Sequence, residues 1–183
     1  MRHPTTRWRF LLGFALLAAS LSAPLQPLRA QAPGEADLKA ALVYNFALFT
    51  EWETGGAESA GRSFTICYAG PETAAAFAQI SAKSMRTRPI VVRPIAAEGP
   101  YDGCQVAYWD GSHARRALPR KAGHGVLTIG NGAEFLQHGG MIEIHLEERR
   151  VVFSINADSA KGAGLRFSSK LLRLAKNVVA GAQ

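Results

Sequence analysis

FTICYAGPETAAAFAQISAKSMRTRPIVVRPI, residues 64–95, decides the fold of this chain. Phe64–Ala69 is a short apolar run of β-branched and aromatic residues, the composition of a strand. Gly70 follows it, and Pro71 suits the first turn of a helix spanning Pro71–Ser81. A second strand, Ile90–Ile95, lies between Pro89 and Pro94, which punctuate its ends. Strand, helix and strand in this order form the unit from which parallel sheets are built.

The alternation continues downstream. Gln105–Trp109 reads as a third strand and Ser112–Lys121 as a helix that Pro119 ends early. Val126–Ile129 is a fourth strand, and Ala133–His138 a short helix closed by Gly139 and Gly140. Upstream, Ala36–Trp52 is predicted to be an amphipathic helix, with Leu38, Leu42, Phe46 and Phe49 at helical spacing and Tyr44 and Trp52 widening its apolar face. After the fourth strand the period changes. Ile142, Ile144 and Leu146 alternate with Glu143, His145 and Glu147, and Val151, Phe153 and Ile155 form a matching run beyond Glu148 and Arg149. These two runs predict a β-hairpin with one wetter face. Ala157–Ala163 gives one or two helical turns. Leu165-Arg166-Phe167 then leads into a closing helix over Ser168–Val179, capped by Ser168 or Ser169, with Leu171, Leu172, Leu174, Val178 and Val179 on its apolar side. The expected fold is therefore a layered α/β domain over residues 36–180. It has a mostly parallel central sheet flanked by helices, a C-terminal β-hairpin and a closing helix.

The first thirty residues carry an address. Arg2, Arg7 and Arg9 precede an unbroken apolar run, Phe10–Leu21, and small residues follow up to Ala30 and Ala32. This is the pattern of a secretory signal peptide over residues 1–30, cut near Ala30 or Ala32. The run is shorter than the roughly 20 apolar residues of a membrane-spanning helix. Gln31–Gly34 reads as a short mobile start. The expected product is exported to the periplasm without an anchor. With four arginines and no acid in residues 1–30, the 21 basic residues fall to 17 against 14 acidic, and the net charge of +7 becomes +3. No dense Lys/Arg run remains, so nucleic acid is excluded as a partner. The remaining length suits one domain with a real core. Thr54–Ser63, rich in Gly, Ala, Ser and Glu, reads as a surface loop.

Cys67 and Cys104 are the only cysteines. In an oxidising compartment a single pair is most simply a disulfide, expected here between the first strand and the start of the third. Two free thiols or a redox pair are the alternatives, although the redox pair lacks Cys-x-x-Cys spacing.

The residues offer little catalytic chemistry. His113, His124, His138 and His145 lack the spacing of metal ligands and read as scattered surface histidines. No cofactor is implied. Ser154, Ser168 and Ser169 lie outside any Gly-x-Ser-x-Gly elbow. Gly130-Asn131-Gly132 follows a strand, as a phosphate-binding turn would, but the full glycine pattern is missing and a plain tight turn accounts for it. The chain is not expected to be an enzyme. Arg166 stands just before a helix start, where backbone N–H groups and the helix dipole favour an anion, and Lys170 and Arg173 follow it. Arg166, Ser168, Lys170 and Arg173 are the candidate ligand- or partner-binding residues. The alternative is a solvated basic face pairing with Glu143 or Glu147.

Four phrases carry a resemblance: LKAALVYNFALFTEW (38–52), FTICYAG (64–70), GGMIEIHLEERRVVFSIN (139–156) and AGLRFSSKLLRLAKNV (163–178). In this order they resemble the YfiR family of exported bacterial proteins, over nearly the whole chain from Leu38 to Val179. The resemblance implies a compact periplasmic α/β domain, often a homodimer. The family's best understood member represses a membrane diguanylate cyclase by binding its periplasmic sensor portion, which limits cyclic di-GMP signalling and biofilm formation. Cys67 and Cys104 match a disulfide pair of the family, while a second bridge near the hairpin has no counterpart here. Arg166 and Ser168 fall in the motif where small ligands are suggested to bind.

The expected function is repression by binding the periplasmic part of an inner-membrane signalling protein. A diguanylate cyclase is the first candidate partner, and a histidine kinase or other sensor the next. The alternative function is a periplasmic module for a small anionic ligand held near Arg166.

Overall fold

Residues 64–131 lay down parallel strands because their apolar side chains point to both faces, as a sheet covered on both sides requires. The structure, a computed structural model, describes residues 34–53, 62–117, 119–148 and 150–179. The expected signal peptide, its cleavage zone and residues 54–61 of the expected loop lie outside the described residues. The elements in chain order are α1 (Glu35–Leu48), β1 (Thr50–Trp52), β2 (Phe64–Ala69), α2 (Ala74–Ile80, after a 3-10 turn at Pro71–Thr73), β3 (Ser84–Met85) and β4 (Arg88–Pro94). Then come β5 (Val106–Asp110), α3 (Gly111–Arg116), a 3-10 turn at Pro119–Ala122, β6 (Leu127–Asn131), β7 (Ile142–Glu147) and β8 (Arg150–Asn156). The last are α4 (Ala157–Gly162), β9 (Leu165–Phe167), α5 (Ser169–Leu174) and β10 (Asn177–Val179).

Eight strands form the main sheet in the order β10-β8-β7-β6-β5-β2-β4-β3. The five from β4 to β7 are mutually parallel. β8 pairs antiparallel with β7, β3 antiparallel with β4, and β10 runs parallel to β8. The fold class read from the sequence is thus the fold observed. After β4 the chain crosses to the other side of β2 to lay down β5, and this reversal puts the next helix on the opposite face. α1 and α2 cover one face, burying Val43, Phe46, Phe77 and Ile80 against Phe64, Ile66, Val106, Tyr108, Ile129 and Ile144. α3 and the 95–104 and 133–139 segments cover the other, around Cys67, Ala107, Trp109 and Phe135. β5 is buried at every position. Aromatic pairs tie the layers together: Phe46 meets Phe153 at 4.7 Å between centroids, and Trp109 meets Phe135 at 5.7 Å.

Four local expectations are corrected. The first helix stops at Leu48 instead of reaching Trp52. Thr50 Oγ1 donates to the Phe46 carbonyl at 2.7 Å, the chain extends, and Thr50–Trp52 pairs antiparallel with Leu165–Phe167 in a separate two-stranded sheet. Leu38, expected on the buried face, is 42% exposed, because the face turned inward is that of Ala40, Val43, Phe46 and Ala47. Ala133–His138 is a succession of turns, not a helix, with Glu134 in the left-handed region at φ +70°. The closing helix ends at Leu174. Ala175 is extended, Lys176 N–H donates to the Phe153 carbonyl at 2.9 Å, and Asn177–Val179 joins the sheet beside β8. Val178 and Val179, read as the apolar side of that helix, are exposed on the new strand. The short strand β3 has no counterpart in the sequence reading.

Candidate functional site

The sheet is covered unevenly. The turns at 133–139 and α3 pack over β5 and β6 on the second face, and the turns reach β7 through the Leu136 N–H. In the hairpin register Glu143 faces Ser154, His145 faces Val152 and Glu147 faces Arg150. Directly opposed residues share a face, so Glu143, His145, Glu147 and Ser154 stand together on one side, with Ser154 buried. Asn156 and Val179 are likewise paired across β8 and β10. An open cleft of about 1510 Å³ lies over this floor, bounded by Glu134–Gly139 on one side and by α4 and β10 on the other.

Its polar groups are tied to one another. His145 Nδ1 lies 3.4 Å from Glu143 and Nε2 3.8 Å from Glu147. Lys176 Nζ donates to both carboxylate oxygens of Glu147. Glu143 also accepts from the Leu136 N–H at 3.3 Å, which anchors the bounding turn to the floor. Asn156 caps α4 by accepting from Ser159 N–H at 2.9 Å. Arg120 and Lys161 add positive charge at the rim, Glu134 and Asp158 negative charge. A cleft with both signs and the exposed Val179 suits a polypeptide surface, which likewise mixes apolar and charged contacts. Among the described residues no three His, Cys, Asp or Glu side chains are placed to hold a metal ion.

The four residues picked from the sequence lie elsewhere, and none lines this cleft. Arg166 projects from β9 with its side chain 70% exposed, and its partner is Glu51 at 3.8 Å across the small sheet rather than Glu143 or Glu147. Ser168 is the N-cap of α5 and accepts from Leu171 N–H at 3.2 Å. Lys170 Nζ sits 5.0 Å above the Phe49 ring, and Arg173 is exposed. The helix that Arg166 and Ser168 precede, and that carries Lys170 and Arg173, has six residues, so its dipole is short. Cys67 and Cys104 are joined in a disulfide with Cα atoms 5.8 Å apart. Both are buried, Cys67 on β2 and Cys104 just before the adjacent β5, and the Arg93 guanidinium lies 3.2 Å from the Cys104 sulfur.

A second polar cluster went unread in the sequence. The carboxyl ends of β2 and β5, where the strand order reverses, are where doubly wound sheets place ligands. Here α1 supplies Lys39, whose Nζ lies 3.1 Å from Asp110 and 2.7 Å from Glu35. Asn131, at the end of β6, donates to Asp110 at 2.6 Å. Burial works against the Lys39 charge, but hydrogen bonds to Glu35 and Asp110 outweigh it and raise its pKa above 10.5. The buried Tyr108 hydroxyl beneath them is also pushed up, by burial first and then by Asp110. Gly70 closes the space from the β2 side: a Cβ there would meet the Asp110 Cβ at 3.2 Å. The cluster thus fills the crevice with an internal ion pair. The only sequence signal was a lysine on a helix face otherwise turned to the core.

Comparison with known proteins adds the following. The sequence model of the YfiR/HmsC-like family matches residues 36–176. No curated protein matches the chain. Among solved structures, a conserved domain protein from Vibrio cholerae O1 biovar El Tor strain N16961 is similar at a TM-score of 0.52 and 11% identity, over 79% of this chain and 60% of that one. That likeness is one of fold. The present chain spans 60% of its length.

Proposed function

Because the chain belongs to the YfiR/HmsC-like family, we propose that it is a periplasmic regulator that binds the sensor part of an inner-membrane diguanylate cyclase and holds its output low. The single observation that carries this reading is the family match over residues 36–176. The site geometry supports it: a broad cleft of both charges lies on the sheet, and Glu143, His145, Glu147 and Lys176 at its floor are engaged with one another. No helix among the described residues is long and apolar enough to cross a membrane.

The physical mechanism is a population shift. A regulator that binds the inactive sensor more tightly than the active one lowers the active fraction by its differential affinity alone. A preference of about 2.7 kcal/mol moves that equilibrium roughly a hundredfold. The test is deletion of the gene, followed by measurement of cyclic di-GMP and surface attachment. Both are expected to rise. Unchanged levels with the cyclase expressed would overturn the cyclase version and turn attention to a histidine kinase or other sensor. Capture of the cyclase's periplasmic segment by the purified protein tests the contact directly.

A further inference from the structure

Behind the ridge formed by Arg120, a second concavity of about 580 Å³ is lined by Arg115, Arg116, Ala117, Arg120, Lys121, Gln137 and His138. Four of these seven side chains carry a permanent positive charge, a fifth is histidine, and none is acidic. We propose that this concavity binds a phosphate-bearing anion.

The pairing pattern carries the argument. Several cations of the polar sites are matched, Lys39 with Glu35 and Asp110, Lys176 with Glu147 and Arg166 with Glu51, while Lys161 stands alone among the described residues at the rim of the first cleft. In this concavity only Arg116 has a carboxylate partner among the described residues, Glu98 at 3.8 Å, and that pair is exposed on both sides. Arg115, Arg120 and Lys121 have none there. Cations gathered in a recess without counter-charge focus a positive potential and raise the local concentration of anions.

One of these side chains packs closely against the backbone. The Arg120 side chain lies directly against Gly139, where a Cβ would fall 2.4 Å from its Cγ and 2.6 Å from its Nε. Gly139 adopts φ +90°, so the close approach depends on a glycine at that turn. Arg115 and Arg116 end α3, and Arg120 and Lys121 lie in the 3-10 turn that follows. The four cations thus come from one short segment folded around a single recess.

The charge count favours phosphate over carboxylate. Guanidinium forks match phosphate oxygens in pairs, and several cations suit a dianion better than a single negative charge. The volume falls in the range of small-ligand pockets, roughly 300–1,000 Å³. Ala117 is the only apolar lining residue, so the recess holds a polar headgroup and no acyl chain. Phosphorylated small molecules and phospholipid headgroups share this chemistry. This recess is separate from the site expected at Arg166.

The test uses the protein without its signal peptide. Pyrophosphate is titrated calorimetrically at low and at physiological salt. Vesicles of phosphatidylglycerol, with phosphatidylcholine as control, are tested by co-sedimentation. The variants are Arg115→Gln with Arg120→Gln, Lys121→Gln alone, and Arg166→Gln as a control outside the recess. Expected are salt-sensitive pyrophosphate binding, a loss of about tenfold or more in the double variant, and no change in the control. Binding to phosphatidylglycerol but not to pyrophosphate, lost in the double variant, supports the same site with a headgroup as the source. No binding to either probe, or binding that the double variant and Lys121→Gln leave intact at unchanged thermal stability, overturns the proposal.

Discussion

Asp110 ends a strand that is buried at every position, and it is 5% exposed. A carboxylate in that setting persists only because Lys39 and Asn131 reach it. Asp110→Ala leaves Lys39 with Glu35 alone and is expected to cost about 3 kcal/mol in denaturant unfolding, since half of a buried pair is left behind. Lys39 also has a pH signature. Its folded pKa is raised above the ordinary 10.5. Its contribution to stability is therefore full below that value and lost as pH rises through the folded one. The alkaline fall in melting temperature is expected to be shallower in Lys39→Met, and superimposable curves would refute the coupling. At the disulfide, thiol titration of denatured, unreduced protein is expected to find no free thiol. Replacing Cys67 and Cys104 by alanine is expected to cost about 2–5 kcal/mol. Arg166→Ala is expected to change stability by less than about 0.5 kcal/mol, because its ion pair with Glu51 is exposed.

Gly130-Asn131-Gly132 shows how an element hides its reason in the sequence. The glycines resemble a ligand-binding turn, yet Gly130 lies in β6 and a Cβ there would fall 2.4 Å from the Phe135 ring. Phe135 folds back over β6 and fills the second core. Gly130→Ala is expected to destabilise by about 1–3 kcal/mol through overpacking, measured by thermal unfolding. The sequence narrows the N-cap of α5 to Ser168 or Ser169, the structure makes it Ser168, and Ser168→Ala is expected to cost about 1 kcal/mol. The hairpin was equally legible, because its period of two repeats along both strands. β1 and β10 were not. Each is three residues long, and each follows a helix whose apolar pattern runs on into it. Phe49, Trp52, Val178 and Val179 continue a helical spacing while the backbone has already turned to pair with another strand.

At the scale of the molecule, the two ends of the described domain meet. β1 pairs with β9 beside Trp52, whose indole N–H donates to the Gly125 carbonyl at 2.8 Å. β10 then returns to the far edge of the main sheet, where Val179 is exposed on the side of the cleft. If that cleft receives the sensor segment, Val179→Asp is expected to weaken capture of the segment at least tenfold, about 1.4 kcal/mol, at an unchanged melting temperature. Full capture by the variant would place the contact elsewhere.

The sequence by itself determined the α/β class, the parallel middle, the hairpin and the family, because each rests on local period, turn chemistry or residue order that a short window contains. It also showed that Glu143, His145 and Glu147 share one face of a strand. Only the tertiary structure decided that this face floors a cleft, since that depends on where the 133–139 turns and α4 bound it. It also decided that Arg115, Arg120 and Lys121 converge on one recess, and that Arg166 faces Glu51. These pairings join residues far apart in the chain or fold a short segment back on itself. Nothing in a local pattern encodes which side chains a sheet finally brings together.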